Sequence, residues 1–524
     1  MSATPTVAST VSSAARLPRP VGGAPVEIAA LAAQAGARLA QPIPADARVT
    51  GVTLRSGDAR PGDLFAALPG ARSHGAEHVA EVLKAGAVAL LTDPAGAESP
   101  PVAQAEATGV PVLVHDDPRT VLGGMAARVY GDPTARLGVI GVTGTSGKTT
   151  VSYLIEAGLK AAGHTTGLIG TVRTTVADEV WASALTTPES PDLQALFAIM
   201  LERGVNEAVM EVSSHSLALH RVAGTRFAVG GFTNLSQDHL DFHQDMDGYF
   251  AAKALLFDGR AVVEVVNGDD GWGRRLIKPG TVTVSAKGRP DADWRAQAVR
   301  ATEDGGQRFT ALDPSGDATV VTLPQPGAFM VANALLALAC LDAVGVPADT
   351  AARGMADITV PGRLQRVDAG QPYLTFVDYA HKPGAVAALL DTLRARLPAR
   401  GRLLVVLGCG GDRDAAKRPL MGAAAAVRAE LLVITDDNPR GEPPAAIRAA
   451  MRAGVLAAPP LGEVIEIGDR REAIAAAVQR ARPDDIVVVA GKGHETGQRI
   501  GHVTRPFDDA AELTAAIRER VAGR

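Results

Sequence analysis

Cysteine is almost absent from this sequence. The 524 residues include only 2 cysteines, Cys340 and Cys409. Two cysteines so far apart exclude both a disulfide framework and a zinc site built on cysteine pairs. We therefore expect the chain to work in a reducing compartment, the cytoplasm.

Long apolar runs and an excess of one charge are also lacking. No run reaches the roughly 18 to 20 apolar residues that a transmembrane helix needs, so no membrane association is expected. The formal net charge of -5 gives no sign of the basic surface that binds a nucleic-acid backbone. We expect small-molecule partners, a monomeric protein and a local site for any anionic ligand.

The first residues contain no acidic side chain. Residues 1–26 are rich in Ser, Ala, Thr and Pro, and they lack the compact apolar run of a secretory signal. This composition favours a flexible tail over residues 1–25 rather than a transit peptide.

The composition that remains is that of a large globular protein, with 46% hydrophobic and 21% charged residues. A chain of this length is too long for one hydrophobic core, so several domains are expected. Turn-rich segments at residues 130–133 and 358–363 predict boundaries between them. We predict domains over residues 26–135, 136–359 and 360–524.

Apolar, β-branched runs alternate with segments typical of helices along most of the chain. This alternation predicts an α/β fold with parallel sheets, whose ligands bind beyond the carboxyl ends of the strands. The predicted strands are 137–142, 208–212, 227–233, 261–266, 374–377, 403–407, 431–435 and 486–490. A helix is predicted from residue 148 to about residue 162.

A glycine-rich turn lies between the first of these strands and the helix. Its sequence, Thr143-Gly-Thr-Ser-Gly-Lys-Thr-Thr150, differs from a strict phosphate loop only in having Val142 where that motif has Gly. Backbone amides and a helix N-terminus can hold phosphates there, with Lys148 on the terminal phosphates and Thr149 on Mg²⁺. The strand and helix on either side favour a nucleotide site over a chance glycine turn. The predicted contacts are Gly144, Thr145, Ser146, Gly147, Lys148, Thr149 and Thr150.

Further motifs follow this loop in order along the chain. They are Thr186-Thr-Pro-Glu189, Met210-Glu-Val-Ser-Ser-His215, Thr233-Asn-Leu-Ser-Gln-Asp-His239, Ala252-Lys253, Asn333-Ala-Leu335, Pro361-Gly-Arg363, Asp378-Tyr-Ala-His381, Asp437-Asn-Pro-Arg440 and Gly491-Lys-Gly-His-Glu495. With the phosphate loop, these motifs make the sequence resemble the Mur ligases. The resemblance implies a small α/β N-terminal domain that binds a UDP-sugar, a central phosphate-loop domain that binds ATP, and a Rossmann-like C-terminal domain that binds an amino acid.

The activity implied by the resemblance is ATP-dependent ligation of an acid to an amino acid in peptidoglycan synthesis. The D-Glu carboxylate of UDP-N-acetylmuramoyl-L-Ala-D-Glu would attack the γ-phosphate of ATP, and the amine of meso-diaminopimelate would attack the resulting acyl phosphate. ATP is thus a co-substrate and Mg²⁺ the cofactor. Asp437-Asn-Pro-Arg440 matches the diaminopimelate-adding members, and a lysine-adding ligase of the same family is the alternative.

The resemblance also gives roles to single residues of the nucleotide site. Lys148, Glu211, His239 and Lys253 would be catalytic, and Asn333, Arg363, Asp378 and His381 would contact ATP. Mg²⁺ would be held by Thr149, Glu211 and His239, and Lys253, after carbamylation, would be a ligand of a second Mg²⁺. An isolated Glu or His near a strand end is usually ordinary polar surface, and an isolated lysine is usually solvated, so these roles depend on the motifs.

Substrate contacts are implied in the same way. An arginine can grip the second carboxylate of diaminopimelate in a bidentate pair, and Arg440 is the candidate. The full diaminopimelate set is Arg413, Asp437, Asn438, Pro439, Arg440, Gly491 and Glu495, with Glu495 on the distal ammonium. The implied contacts to the UDP-muramyl peptide are Leu54, Ser56, Thr186, Thr187, Ser213 and Arg221.

Two other classes are open from sequence. Folylpolyglutamate synthase shares the phosphate loop but has no need of the N-terminal segment or of the Asp-Asn-Pro-Arg loop. A regulatory nucleotide-binding module without ligase chemistry is possible because fold does not fix function. The density of motifs outside the phosphate loop argues against such a module.

Overall fold

The computed structural model describes residues 18–70, 73–181, 183, 185–303 and 305–523. The predicted tail therefore lies outside the described residues up to residue 17. The chain forms two compact units. The first takes residues up to 143 together with 164–230 and 237–262, and the second takes 144–163, 231–236 and the chain from 263 onward.

Short strands and helices make up the chain before residue 137, all within the first unit. Strands β4, β5, β6 and β7 are parallel neighbours, and β2 runs antiparallel beside β7. The elements are β1 Val26–Glu27, α1 Ile28–Ala35, β2 Arg38–Leu39, β3 Arg48–Val49, β4 Gly51–Thr53, β5 Asp63–Ala67, α2 Val79–Lys84, β6 Ala89–Thr92, α3 Pro94–Ala97, α4 Pro100–Ala107, β7 Val112–Val114 and α5 Pro118–Val129.

The middle of the chain contributes elements to both units. In the first unit β8, β12 and β9 are parallel, and β10 and β11 extend them in antiparallel fashion. The elements of this stretch up to residue 254 are β8 Gly138–Thr143, α6 Lys148–Ala161, β9 Thr166–Ile169, β10 Thr174–Val176, β11 Glu179–Trp181, α7 Ser190–Glu202, β12 Glu207–Glu211, α8 Ser214–Ala218, β13 Phe227–Phe232, α9 Leu240–His243 and α10 Met246–Ala254.

In the second unit, β14 and β16 pair in parallel with β15, which lies between them, and β16, β17 and β18 form an antiparallel meander. Helix α11 is almost entirely buried, which its run of Ala and Leu allows. These elements are β14 Ala261–Asn267, β15 Val282–Ser285, β16 Trp294–Ala301, β17 Gln307–Leu312, β18 Ala318–Leu323, α11 Ala328–Asp342 and α12 Ala348–Met355.

A second sheet of the same unit has the strand order β19-β20-β24-β21-β22-β23. All its pairs are parallel except β19 with β20. Strands β25 and β26 form a separate antiparallel pair. The elements of this part of the chain are β19 Gln365–Arg366, β20 Leu374–Asp378, α13 Pro383–Arg394, β21 Leu403–Cys409, α14 Lys417–Ala426, β22 Leu431–Asp436, α15 Pro444–Ala457, β23 Glu463–Glu466, α16 Arg470–Arg480, β24 Ile486–Ala490, β25 Gly497–Ile500, β26 Val503–Pro506 and α17 Asp509–Ala522.

The central strand of this second sheet, β21, is buried on both faces. Leu403 and Val405 pack in a core with side chains of α13 and α14, whereas Leu404 and Val406 pack with side chains of α16 and α17. Alternate residues of a strand point to opposite faces, so helices cover both sides of the sheet. Polar loops can therefore gather at the carboxyl ends of the strands.

The predicted α/β class is confirmed, since each strand predicted from sequence is present with ends within two residues of those expected. The predicted helix spans Lys148–Ala161. The three-domain boundaries remain a prediction. Among the described residues, the structure contains no helix with the length and apolarity needed to cross a membrane.

Candidate active site

The phosphate loop, residues 144–148, is held in shape by the segment after β13. The backbone N–H of Thr145 donates to the Asn234 carbonyl at 2.8 Å, and that of Ser146 donates to Asn234 Oδ1 at 3.1 Å. Thr233 Oγ1 donates to the Ser146 carbonyl at 2.6 Å. These bonds fix the loop before any ligand arrives, so the binding cost of ordering it is reduced.

Two glycines of the loop adopt backbone conformations that other residues rarely take. Gly144 has a φ of 141° and Gly147 a φ of 92°. A Cβ at Gly147 would lie 2.6 Å from Asn333 Oδ1, and one at Gly144 would clash with Thr233. The structure therefore explains both glycines without the further glycine that a strict motif would have at position 142.

Lys148 begins α6, and its ammonium group donates to the carbonyls of Gly144 at 2.8 Å and Thr145 at 3.1 Å. This places the cation over its own loop, where phosphate oxygens would replace the carbonyls. Thr149 and Thr150 are buried in the first turn of the same helix. The helix N-terminus and Lys148 thus supply positive charge at one place.

Arg363 lies against the same loop from the segment before β19. Its Nη2 is 3.5 Å from Thr149 Oγ1, and its guanidinium carbon is 4.4 Å from the centroid of the Tyr379 ring. An arginine stacked on an aromatic ring keeps its planar fork in one orientation. Lys148 and Arg363 therefore both lie at the start of α6, the predicted phosphate site.

Asp378 and His381 follow β20 and lie in the same neighbourhood. The Asp378 carboxylate accepts hydrogen bonds from the N–H groups of Leu364 at 2.7 Å and Ala380 at 2.8 Å. Burial raises its pKa above the ordinary value of an aspartate, against the effect of these donors and of Arg363. His381 Nδ1 is 2.8 Å from the Tyr379 carbonyl. Of the predicted ATP contacts, Asn333 and Arg363 therefore lie beside the start of α6, and Asp378 is hydrogen-bonded to Leu364, the residue after Arg363.

Glu211 ends β12 in the first unit, and its side chain is 1% exposed. Its carboxylate accepts hydrogen bonds from the N–H of Thr171 at 2.7 Å and from Thr171 Oγ1 at 3.0 Å. Thr171 Oγ1 is also 3.0 Å from Thr186 Oγ1. The predicted metal ligand Glu211 and the predicted substrate contact Thr186 therefore belong to one polar cluster.

The other predicted contacts to the muramyl peptide surround this cluster. Thr187 Oγ1 donates to the Glu211 carbonyl at 2.8 Å and accepts from the Ser213 N–H at 3.2 Å. Arg221 Nε lies 2.8 Å from Glu189 Oε1. Ser213 caps α8, where its hydroxyl accepts from the Ser216 N–H. The structure thus brings Thr186, Thr187, Ser213 and Arg221 together.

Lys253 packs against Tyr249, whose ring also lies beside His239 and His243 in the same unit. The Lys253 side chain is 1% exposed, and its Nζ is 4.7 Å from the centroid of the Tyr249 ring. The ring centroids of His215 and His239 are 4.8 Å apart, and His239 Nε2 is 3.0 Å from Asp238 Oδ2. Burial and neighbouring cations lower the pKa of His243 to about 4, so that ring is neutral at pH 7.

In the described part of the chain, no group of three or more His, Cys, Asp and Glu side chains is placed to hold a metal ion. The predicted set contains only two residues of those types, Glu211 and His239, so it falls outside such a group. Its chemistry suits Mg²⁺ in part, because the cation prefers oxygen ligands and Glu211 supplies a carboxylate. A carbamylated Lys253 would supply a carboxylate-like ligand for a second Mg²⁺.

Three loops meet at the carboxyl ends of β21, β22 and β24. Asn438 Nδ2 donates to Glu495 Oε2 at 2.7 Å, and Gln498 Nε2 donates to the Asp437 carbonyl at 2.9 Å. A Cβ at Gly491 would lie 2.8 Å from Asp437 Oδ2. The predicted amino-acid contacts Asp437, Asn438, Gly491 and Glu495 thus share one site.

Arg440 joins this group from the left-handed conformation, with a φ of 53°. Its Nη1 donates to the Gly411 carbonyl at 2.6 Å, and its backbone N–H donates to the Arg499 carbonyl at 3.0 Å. Pro439 beside it is buried. The side chain of Arg440 is therefore bonded to the β21 loop and its backbone to β25, and the remaining donors of the guanidinium can bind a carboxylate.

Three predicted contacts, Arg413, Leu54 and Ser56, are exposed or only partly buried. Arg413 is exposed, although the loop that carries it is tied to the Arg440 loop by a hydrogen bond from the Gly441 N–H to Asp412 Oδ2. Leu54 and Ser56 follow β4 directly and are partly buried. Between them, Arg55 donates to Asp192 Oδ2 at 2.7 Å.

Sequence reasoning missed several residues that the structure places in these clusters. Thr171 binds both oxygens of Glu211, Tyr379 supports Arg363, and Asn234 holds the phosphate loop. Lys492 is fully buried among the amino-acid loops. The motifs quoted above contain Asn234, Tyr379 and Lys492, so the motifs could have indicated these three residues. Nothing in the sequence singled out Thr171.

Three family models match the chain in order. "Mur ligase family, catalytic domain" matches residues 48–130, "Mur ligase middle domain" matches residues 142–341, and "Mur ligase, glutamate ligase domain" matches residues 362–493. The matches contain the phosphate loop, the Glu211 cluster and most of the amino-acid loops. They coincide with the stretches in which the clustered residues lie.

The chain is also similar over nearly its whole length to curated proteins. One is the UDP-N-acetylmuramoyl-L-alanyl-D-glutamate--2,6-diaminopimelate ligase of Streptomyces avermitilis, with 52% identity over 509 residues, 96% of this chain and 98% of that protein. The protein of the same name from Corynebacterium glutamicum is 52% identical over 468 residues, 87% of this chain and 89% of that protein. A solved structure of a ligase so named aligns with a TM-score of 0.67 at 31% identity, covering 95% of this chain and 100% of that one.

Proposed function

The chain belongs to the Mur ligase family, and from this premise we propose that it joins meso-diaminopimelate to the D-Glu of UDP-N-acetylmuramoyl-L-Ala-D-Glu at the expense of ATP. The observation that carries the proposal is the cluster of Asp437, Asn438, Arg440 and Glu495 at the strand ends. This cluster contains a guanidinium, which can bind a carboxylate, and carboxylates, which can bind an ammonium group. Diaminopimelate has two carboxylates and two amino groups. The names of the relatives point to the same substrate.

The reaction has two steps. A D-Glu carboxylate oxygen attacks the γ-phosphorus, and the bond from that phosphorus to the bridging oxygen of ADP breaks. The diaminopimelate amine then attacks the acyl carbon, inorganic phosphate leaves, and the amine loses a proton. Charge builds on phosphoryl oxygens in the first step, so Lys148 and Arg363 are suited to neutralise it.

ATP contacts are proposed for Gly144 to Thr150, Asn333, Arg363, Asp378 and His381. The neighbourhood of Arg363, Tyr379 and Thr149 supports this assignment. Thr149, Glu211 and His239 would hold one Mg²⁺, and carbamylated Lys253 would be a ligand of a second Mg²⁺. The cation would screen phosphate charge when bound.

Diaminopimelate differs from lysine by one carboxylate, and Arg440 is proposed to bind it. Its fixed backbone and its hydrogen bond to Gly411 limit the positions that its guanidinium can take. A guanidinium held in one position can form two hydrogen bonds with the second carboxylate of diaminopimelate. Lysine has only a hydrogen atom at that place, so the guanidinium would be left unpaired. Glu495 is proposed to accept the distal ammonium group, and Arg413 to supply a second contact to a carboxylate.

The muramyl dipeptide is proposed to bind at Thr186, Thr187, Ser213 and Arg221, and the uridine end at Leu54 and Ser56. The hydrogen-bonded cluster around Thr187 supports the first group. The monomeric state and the cytoplasmic location remain predictions from the sequence.

The test is release of phosphate by the purified chain with Mg²⁺ and ATP. We expect release only when UDP-N-acetylmuramoyl-L-Ala-D-Glu and diaminopimelate are both present, with one amide product for each ATP split. A Lys148→Ala variant provides the inactive control. ATP hydrolysis that continues at the same rate when either co-substrate is left out would contradict ligase function and favour a nucleotide-binding module.

A further inference from the structure

Lys492 is a fully buried lysine among the loops assigned to the amino acid. Its side chain is 0% exposed. Its Nζ is 3.1 Å from Asn438 Oδ1, 3.2 Å from Glu495 Oε2 and 3.7 Å from Asp437 Oδ1. A buried ammonium group is costly unless it is paired and hydrogen-bonded, so these contacts account for its presence.

The contacts of Lys492 fix the orientation of the Asn438 side chain. Asn438 Oδ1 accepts from Lys492 Nζ at 3.1 Å and from the Arg499 N–H at 2.9 Å. Two donors at one atom identify it as the amide oxygen, so the amide nitrogen must point the other way. That nitrogen donates to Glu495 Oε2 at 2.7 Å.

The same contacts fix the Glu495 carboxylate. Lys492 Nζ and Asn438 Nδ2 both donate to Oε2. The side chain is 33% exposed, so the carboxylate is reached both from the protein interior and from solvent. With Oε2 engaged from the interior, Oε1 retains the capacity to accept from a ligand.

We propose that Lys492 is a positioning residue that aims the Glu495 carboxylate at the distal ammonium group of the incoming diamino acid. The inference rests on the proposed function, because Glu495 meets an ammonium group only if a diamino acid is the substrate. Lys492 acts through Asn438 and Glu495 and does not touch the reacting atoms. Its removal should therefore affect recognition of one substrate group and leave ATP use intact.

The test compares diaminopimelate with 2-aminopimelate, which has both carboxylates and lacks the distal amino group. Wild-type enzyme should prefer diaminopimelate in kcat/KM because Glu495 pairs with that group. In Lys492→Met the preference should fall by roughly tenfold or more, the effect expected for a charge-assisted hydrogen bond. The KM for ATP should stay close to that of the wild type, and kcat/KM with 2-aminopimelate should fall much less than kcat/KM with diaminopimelate.

Arg402→Met is the matched control. Arg402 also pairs with a buried carboxylate, since its Nη2 is 2.6 Å from Asp485 Oδ2, but it precedes β21 at the opposite end of the sheet. If removing a buried ion pair only lowers stability, both variants should lose stability, and neither should change the preference for diaminopimelate over 2-aminopimelate. Lys492→Gln keeps a hydrogen-bond donor without the charge, and it replaces the Met variant should that one fail to fold.

A wild-type preference in the folded Lys492 variants would overturn the inference. Loss of the preference in Glu495→Gln together with its retention in Lys492→Met would refute the role of Lys492 alone. A wild-type enzyme that uses neither amino acid would instead refute the proposed function. The activity of the wild type therefore tests the proposed function, and the preference of the Lys492 variants tests the role of Lys492.

Discussion

Arg440 is the residue on which the choice of amino acid depends in this account. Arg440→Gln removes the guanidinium while keeping a polar side chain in the loop. We expect the KM for diaminopimelate to rise by about tenfold or more, as for loss of a hydrogen-bonded ion pair, and the KM for ATP to change little. Steady-state kinetics with each substrate varied in turn would measure this.

The control for that prediction is Arg505→Gln, which changes an exposed arginine on β26. Both variants lose one positive charge, so a general electrostatic effect would appear in both. Unchanged use of diaminopimelate by the Arg440 variant would remove this residue from the specificity site.

Lys253 is the second residue whose role can be decided by substitution. As a carbamate it would hold Mg²⁺, so Lys253→Ala should lower kcat by about a hundredfold or more, since a catalytic metal supplies several kcal/mol of transition-state stabilisation. The exposed Lys84→Ala is the control. A Lys253 variant with full ligase activity would reduce this lysine to a buried side chain packed over Tyr249.

His494 provides a prediction about pH. Burial, helped by the charge of Arg363, lowers its pKa from 6.5 to about 4. The unfolded chain therefore binds a proton below pH 6.5 that the folded chain binds only near pH 4, and stability should fall as the pH drops through this window. His494→Gln removes the titrating group, so its unfolding midpoint should depend less on pH between 6.5 and 4.

Urea unfolding at several pH values, for wild type and for the His494 variant, would measure that difference. His502→Gln offers a control, since it removes an exposed histidine. Parallel curves for wild type and His494→Gln would show that the imidazole is not held neutral by the fold.

At the scale of elements, the start of α6 makes a sharp prediction. Gly147→Ala would force a side chain into a φ of 92° and bring its Cβ within 2.6 Å of Asn333 Oδ1. We expect the loop to shift and ATP to lose its stabilising effect on the protein. Thermal unfolding with and without Mg²⁺ and ATP would measure this, with Gly163→Ala, also at positive φ but without close neighbours, as the control.

The strands were predictable to the extent that they are buried. Runs such as Leu403–Cys409 are continuous and apolar because both faces pack against helices, so the sequence shows them directly. The meander β16 to β18 was not predicted. Its strands are exposed along one face, so polar residues interrupt the apolar pattern, as in Ala318–Leu323.

Site residues were predictable where a motif carried them and not where contacts join distant segments. The pairing of Glu211 with Thr171 connects residues 40 apart in sequence, and Arg363 meets Thr149 across 214. No local pattern encodes such distances, because they follow from the order of strands in the sheets. Lys492 is similar, since its burial depends on loops from other strands.

At the scale of the whole molecule, the predicted contacts divide between the two units. The first contains the cluster of Thr186, Thr187, Ser213 and Arg221, and the second contains the phosphate loop and the amino-acid loops. Each unit thus contains its own set of the predicted contacts. The account requires that all three substrates be consumed together.

The most direct test of that requirement is a competition assay. The purified chain, with Mg²⁺, ATP and UDP-N-acetylmuramoyl-L-Ala-D-Glu, is offered equal amounts of meso-diaminopimelate, L-lysine and ornithine, and the amide products are separated by mass. The account predicts that the diaminopimelate product dominates. A dominant lysine product, or no amide product with any of the three, would contradict it.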